Sequence, residues 1–243
     1  MRARAALPLA VALPVALGAA APASVPAPER GRFVVLEPVS GDVAARAAGS
    51  TRYRDLEGRR RYPVGVTVDA QEGAVRLIVA RDAEGGVSRA VFSDGKFTVT
   101  QAPEGDPVAT LRLTGPSYAD VCGDATASAR RKRRVRRLWG DGRGAFRTSG
   151  RYSAATVRGT RWLTEDRCDG TVTRVVRGEV EVDDFSAAPS EPTPVPPPPT
   201  GAEPPAPVAP GAGGEERDGV RPVTDGGGGD VIVSAGGTYV AGP

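Results

Sequence analysis

Apolar residues recur at every second position in short bursts along this chain: Val64, Val66 and Val68; Val75, Leu77 and Val79; Phe97 and Val99; Leu111 and Leu113; Val180 and Val182. A period of two puts the apolar set on one face of an extended backbone, so each burst predicts a half-buried β-strand. Turn chemistry bounds the bursts at Gly41-Asp42, Glu72-Gly73, Glu84-Gly85-Gly86, Asp94-Gly95 and Asp169-Gly170. Ser93-Asp94-Gly95-Lys96, set between Ala90-Val91-Phe92 and Phe97-Thr98-Val99, carries the Asp-Gly pair that a tight primed turn needs and predicts a hairpin. No amphipathic helix of useful length is visible. Residues 124–138 are dominated by arginine with almost no apolar stripe, and read equally as a short helix or a loop. The expected fold is all-β: a single domain of short antiparallel strands forming a β-roll, a β-solenoid-like body or a sandwich.

Both ends depart from this texture. Met1-Arg2-Ala3-Arg4 followed by the uncharged, Pro8- and Pro14-containing stretch from Ala5 to Ala21 predicts a secretory signal over residues 1–23, cleaved after Ala21-Pro22-Ala23. A retained membrane anchor is the alternative, and the two prolines argue against it. Residues 24–31 form a spacer and residues 32–185 the β domain. Residues 186–229, rich in Pro, Gly and Ala, cannot bury enough apolar area to offset chain entropy and predict a disordered insertion. Strand texture returns at residues 230–243, where Val231 to Val233 must pair with an earlier strand, best with Glu179 to Asp183.

Composition removes whole classes of chemistry. The chain has 32 Gly and 23 Pro among 243 residues and no histidine, which excludes Ser/His and Cys/His nucleophiles and His-ligated metals. Only Lys96 and Lys132 among its 32 basic residues are lysine, a bias that speaks of a GC-rich source. Charge is unevenly spread. Beyond Ser186 seven acids, Glu191, Glu203, Glu215, Glu216, Asp218, Asp225 and Asp230, face Arg217 and Arg221, leaving the preceding body basic.

Cys122 and Cys168 are the only cysteines. In an exported chain they predict a disulfide; two free thiols or an intermolecular bridge are the alternatives, and without histidine they make a poor metal site. Arg130, Arg131, Lys132, Arg133, Arg134, Arg136 and Arg137 place seven positive charges in eight residues. Export turns such a run away from nucleic acid and toward a phosphate-rich wall polymer or an anionic membrane surface; a solvated loop with no ligand is the alternative. Leu138-Trp139 beside the run would add an apolar anchor. Gly140-Asp141-Gly142-Arg143-Gly144 reads as a turn, since no strand-to-helix unit surrounds it. Glu165 and Asp166 are adjacent in a strand and face opposite sides, so they cannot flank one bond.

Thr156-Val157-Arg158-Gly159-Thr160-Arg161-Trp162-Leu163-Thr164, then Gly170 to Val182 with its Gly178 and Val180-Glu181-Val182, then Val231 to Val233, Ala235-Gly236 and Tyr239, together resemble the second half of a FecR domain. Pro63 to Asp69 with Gly73-Ala74-Val75-Arg76-Leu77 resembles the opening strands of that family. The likeness runs from about Phe33 to Tyr239 with the insertion removed, and is greatest to stand-alone secreted forms of actinobacteria. It implies an extracytoplasmic β domain without enzyme activity; the cytoplasmic helical region and membrane span of the family's regulators find no counterpart. The expected function is therefore non-catalytic binding or sensing at the cell envelope, with no cofactor or metal. The expected partner is an anionic cell-wall polymer or an envelope protein; nucleic acid and a stable membrane span in the mature chain are not expected. A carboxylate-dependent wall hydrolase and a passive structural protein are the alternatives.

Overall fold

The computed structural model describes residues 27–123, 133–157, 159–185, 220–222 and 230–242. The expected signal segment, the start of the arginine run (Arg130, Arg131 and Lys132) and most of the expected insertion lie outside the described residues.

Three long strands organise the body: β1 (Phe33–Arg46), β4 (Thr67–Ala80) and β5 (Val87–Gln101), with the short β2 (Arg54–Asp55) and β3 (Arg60–Pro63) beside β1. The expected Asp94-Gly95 hairpin is not formed. β5 continues through it without reversing, paired with β4 on one edge along nearly its whole length. Asp94 keeps the positive φ of 61° that its sequence suggested, but the extra residue is a bulge and not a reversal. The apolar pattern carries the mark of this. Ala90 and Phe92 are buried on even numbers, Phe97 and Val99 on odd ones, and β4 and β1 make the same switch from Val68 and Ala70 to Val75 and Leu77, and from Val34 and Leu36 to Val43 and Ala45. Each long strand thus inserts residues at one crease and keeps its apolar face on the same side of a sharp bend.

Glycines line the crease. Gly41 pairs with Gly73 between β1 and β4, and a Cβ on Gly73 would stand 2.6 Å from the Asp42 carbonyl oxygen and 2.7 Å from that of Ser40. Glu72-Gly73 and Gly41-Asp42, expected as turns, are accordingly strand-internal.

At the crease the sheet forks. The N-terminal half of β5 pairs with β7 (Arg134–Arg143), which leads to β10 (Thr160–Arg167), β11 (Gly170–Arg177) and β15 (Thr238–Ala241). Its C-terminal half pairs with β6 (Ala109–Thr114), and a parallel step continues to β8 (Phe146–Ser149), then β9 (Ser153–Val157), β12 (Glu179–Asp184), β14 (Asp230–Ser234) and β13 (Val220–Pro222). The two limbs curl toward each other and leave one nearly closed barrel. They meet where the Gly236 amide donates to the Val175 carbonyl (2.9 Å), the Val175 amide to that of Gly237 (3.1 Å), and the Thr160 hydroxyl to that of Glu179 (2.9 Å).

Inside, Phe92 is the centre: the rings of Phe97 and Phe146 lie 5.6 Å away and that of Trp162 5.9 Å away, the last two edge-on. Trp162 fits because Gly140 faces it, the indole occupying the place of a Cβ. The Gly140 to Gly144 segment is therefore mostly strand β7, and not the turn its glycines suggested: Gly140 and Gly142 make room inward while Asp141 and Arg143 point outward.

Val231 to Val233 pairs with Glu179 to Asp183 as expected, with Val180 opposite Val233 and Val182 opposite Val231. Within residues 186–229, Val220–Pro222 departs from the expected disorder and adds a strand to β14, since an outer edge of β14 offers unpaired backbone groups.

One helix was not anticipated. α1 (Tyr118–Cys122) begins at Ser117, whose hydroxyl accepts from the Asp120 amide at 3.1 Å. The arginine-rich segment enters β7 at Arg134, so its described part is strand from that residue on. Among the described residues no helix is long and apolar enough to cross a membrane. Cys122, closing α1, is bridged to Cys168 in the β10–β11 turn with Cα atoms 5.6 Å apart. This covers one end of the barrel. There the buried Asp166 carboxylate accepts from Thr171 (2.7 Å) and the Arg151 amide (2.9 Å), and Thr148 links Thr164 (2.6 Å) to the Trp162 indole (3.0 Å). Burial first, then the Asp166 charge, holds the Tyr118 hydroxyl protonated well above the ordinary tyrosine range.

Two outcomes follow for stability. Replacing both cysteines by serine should lower the folding free energy by about 4 kcal/mol, from a 46-residue sequence separation and the loop-entropy relation, as read by urea denaturation of oxidised wild type against the double variant. Asp183 stands directly opposite Asp230; burial above all, opposed by its ion pair with Arg147 (2.8 Å) and reinforced by Asp230 and Glu181, raises its carboxyl above the ordinary 3.8. A carboxyl raised on folding stabilises the folded state below its unfolded value and loses that contribution as pH climbs through the folded one. Asp230→Asn should therefore stabilise the protein at pH 7 by about 0.2–1 kcal/mol and flatten the fall in urea midpoint between pH 4 and 7; an unchanged pH profile would contradict it.

Candidate functional site

Directly opposed residues in antiparallel strands share a face, so the register of the β5–β7–β10–β11 limb fixes what points outward. One row is Ser93, Trp139, Leu163 and Arg174; the next is Val91, Asp141, Arg161 and Arg177; beyond it stand Arg89 and Arg143. On the other side of the tryptophan row come Arg137 opposite Glu165, and Arg134 opposite Arg167. Eight arginines from four strands thus share one outer face with three carboxylates, Asp94, Asp141 and Glu165.

The carboxylates are already engaged. Arg137 pairs with Asp94 (3.2 Å), Arg167 with Glu165 (2.6 Å) and Arg177 with Asp141 (2.7 Å), while Arg161 lies 5.7 Å from the centre of the Trp139 ring. Arg89, Arg134, Arg143 and Arg174 are exposed and have no ion-pair partner among the described residues. Two hollows share Asp141 and so form one groove along β7. The first, about 690 Å³, is lined by Val87, Arg89, Asp141, Arg143 and Arg177; the second, about 580 Å³, by Val91, Asp94, Trp139, Asp141 and Arg161. Unpaired guanidiniums crowded on a low-dielectric sheet raise the local potential, and their fork of donors suits phosphate, sulfate or carboxylate oxygens.

The sequence-predicted run is divided by this geometry. Arg133 is exposed and donates to the Val121 carbonyl at 2.9 Å, and its own carbonyl accepts from the Cys168 amide at 3.1 Å. Arg134 and Arg137 belong to the arginine face. Arg136 turns the other way, donates to the Pro116 carbonyl (2.8 and 3.1 Å) and that of Leu113 (3.4 Å), and lies over the Tyr118 ring at 5.5 Å. It holds the approach to α1 in place. Cys122 and Cys168 join as expected and bring the two ends of residues 123–133 to one point. Leu138 is core, whereas Trp139 is half-buried in the groove.

Arg89, Arg143, Arg161, Arg174 and Arg177 were not singled out from the sequence. Their signal was the alternation of arginine with apolar residues along strands, as in Arg161-Trp162 and Arg174-Val175, hidden by arginine used throughout the chain.

The opposite limb has the other sign. Glu179, Glu181 and Asp183 alternate along β12, joined by Asp230 on β14. Asp106, Glu181 and Asp183 line a hollow of about 410 Å³ with Arg147. Glu165 and Asp166 do face opposite sides of β10, the first toward Arg167 and the second into the barrel.

No protein-family model matches this chain, and neither a search of curated proteins nor one of solved structures finds a match.

The division of the run has a measurable consequence. Arg136→Gln should lower stability by about 1–2 kcal/mol through its lost charge-assisted bonds to backbone carbonyls, whereas Arg134→Gln should shift it by no more than about 0.5 kcal/mol. Thermal unfolding of the two variants side by side distinguishes them; equal midpoints would mean Arg136 is no more structural than Arg134.

Proposed function

We propose that this protein binds anionic polymer of the cell envelope through the arginine face of its β5–β7–β10–β11 limb, without catalysis. The observation that carries the reading is the excess of unpaired arginine on that face, with Arg89 and Arg143 directly opposite each other at the mouth of the groove. A neighbouring pair of guanidiniums offers two parallel donor forks to one multivalent anion. Arg133 and Arg134 extend the same positive field toward the run that the sequence singled out.

Export and a FecR-type role belong to this reading. The disulfide is compatible with an oxidising compartment, and the all-β body is the kind of module the FecR likeness implies. Nucleic acid is the less suitable polyanion for an exported chain. Hydrolysis has one point in its favour, the hollow of Asp106, Glu181 and Asp183. There Asp183 is tied to Arg147 and shares its row with Asp230, an arrangement that holds strands together more directly than it frames a scissile bond.

Co-sedimentation with purified envelope tests the proposal. Wild type should be retained at low salt and released steeply as ionic strength rises, because exposed charges are screened within about 8 Å at physiological salt. Arg89→Gln with Arg143→Gln should cut retention severalfold without altering the unfolding midpoint. Retention that ignores both salt and the double substitution would leave the passive structural alternative standing.

A further inference from the structure

The arginine groove is not uniformly basic. Between its cationic end, Arg89, Arg143 and Arg177, and its aromatic end, Trp139 and Arg161, stands Asp141. One carboxylate oxygen of Asp141 accepts from Arg177, the other has no partner among the described residues, and Asp141 lines both hollows. Trp139 and Arg143 are four residues apart on β7, so the two ends are about 13 Å from each other at a strand's rise per residue.

These three chemistries together suit one kind of ligand. A bare string of phosphates would bring a negative charge past Asp141 at every few ångströms and gain nothing from an indole ring. A sugar ring presents C–H groups to an aromatic face and hydroxyl donors to a carboxylate, while its acidic substituent needs a cation some distance away. Resting on the anion-binding role proposed for this face, we infer that the groove takes a glycan chain with spaced anionic groups: a sugar unit lies against Trp139, its hydroxyl donates to Asp141, and an acidic substituent is held by Arg89 and Arg143. The ligand class is an acidic polysaccharide and not polyphosphate.

The chain has two tryptophans. Trp162 is fully buried, so a ligand-induced change in emission reports on Trp139. The full chain is titrated at low salt with hyaluronate, whose carboxylates fall on every second sugar, and, separately, with inorganic polyphosphate matched for charge. Hyaluronate should change the tryptophan emission. With affinities read by calorimetry, because substitution removes the reporting ring, Trp139→Ala should weaken the glycan about tenfold, as loss of one stacked ring implies, and leave polyphosphate within about twofold; Trp139→Tyr, which keeps a ring, should retain most of the glycan affinity and guards against a folding defect. Asp141→Asn should weaken hyaluronate and strengthen polyphosphate, since the amide oxygen that remains is a weaker hydroxyl acceptor and the opposing charge is gone. If Trp139→Ala lowers both polymers equally, or neither, while Arg89→Gln with Arg143→Gln still abolishes binding, the glycan assignment is overturned and the anion-binding face stands. If wild type binds neither polymer, both readings fall together.

Discussion

The crease across β1, β4 and β5 governs this structure. Strands of 14 or 15 residues are stiff enough to build an open, gently twisted sheet, with a broad apolar face and no second layer to cover it. Bending all three at the same place turns that sheet on itself. The bend requires backbone to approach backbone where Gly41 meets Gly73, and side chains there would strike neighbouring carbonyls. It also requires an extra residue in each strand, so that the apolar positions before and after the bend both point inward.

The fork follows from the bend. Once β5 changes direction at Asp94-Gly95, its two halves need different partners on the same edge, and β7 and β6 diverge from that point. Everything later in the chain shuttles between the limbs thus created, through corners at Gly144, Gly159, Gly178 and Gly236, all with positive φ. The limbs enclose an aromatic core at Phe92 and a threonine-rich, Asp166-containing region near the end that α1 covers. A buried carboxylate tolerates that position because a hydroxyl and an amide satisfy one of its oxygens, and the disulfide keeps the covering helix close.

A second result of the fork is separation of charge. β7, β10 and β11 lie side by side in one limb and carry their arginines outward; β12 and β14 lie in the other and carry Glu179, Glu181, Asp183 and Asp230. Net charge is only +3 over the whole chain and foretells no partner, yet one face is strongly basic. Asp141 and Trp139 break the uniformity of that face and give it a chemical preference beyond its sign.

Period-two alternation by itself determined that the chain is built of strands, because only an extended backbone puts alternate residues on one face. The isolated Val-Ile-Val near the end pointed to a return of β14 to β12, and the even cysteine count to a bridge, with free thiols as the alternative; the structure has both the pairing and the bridge. What only the tertiary structure decided was whether a Gly-containing interruption reverses the chain or bends it. Asp94-Gly95 and Gly140 to Gly144 have the local chemistry of turns, but the choice between turn and bulge depends on partners distant in sequence. β6 and β7 wait on one edge of β5, and the Trp162 ring waits against Gly140. The arginine face was out of reach for the same reason: a run of adjacent charges is visible in a line of text, whereas Arg89, Arg143, Arg161 and Arg177 become neighbours only through the hydrogen-bonded register of four strands.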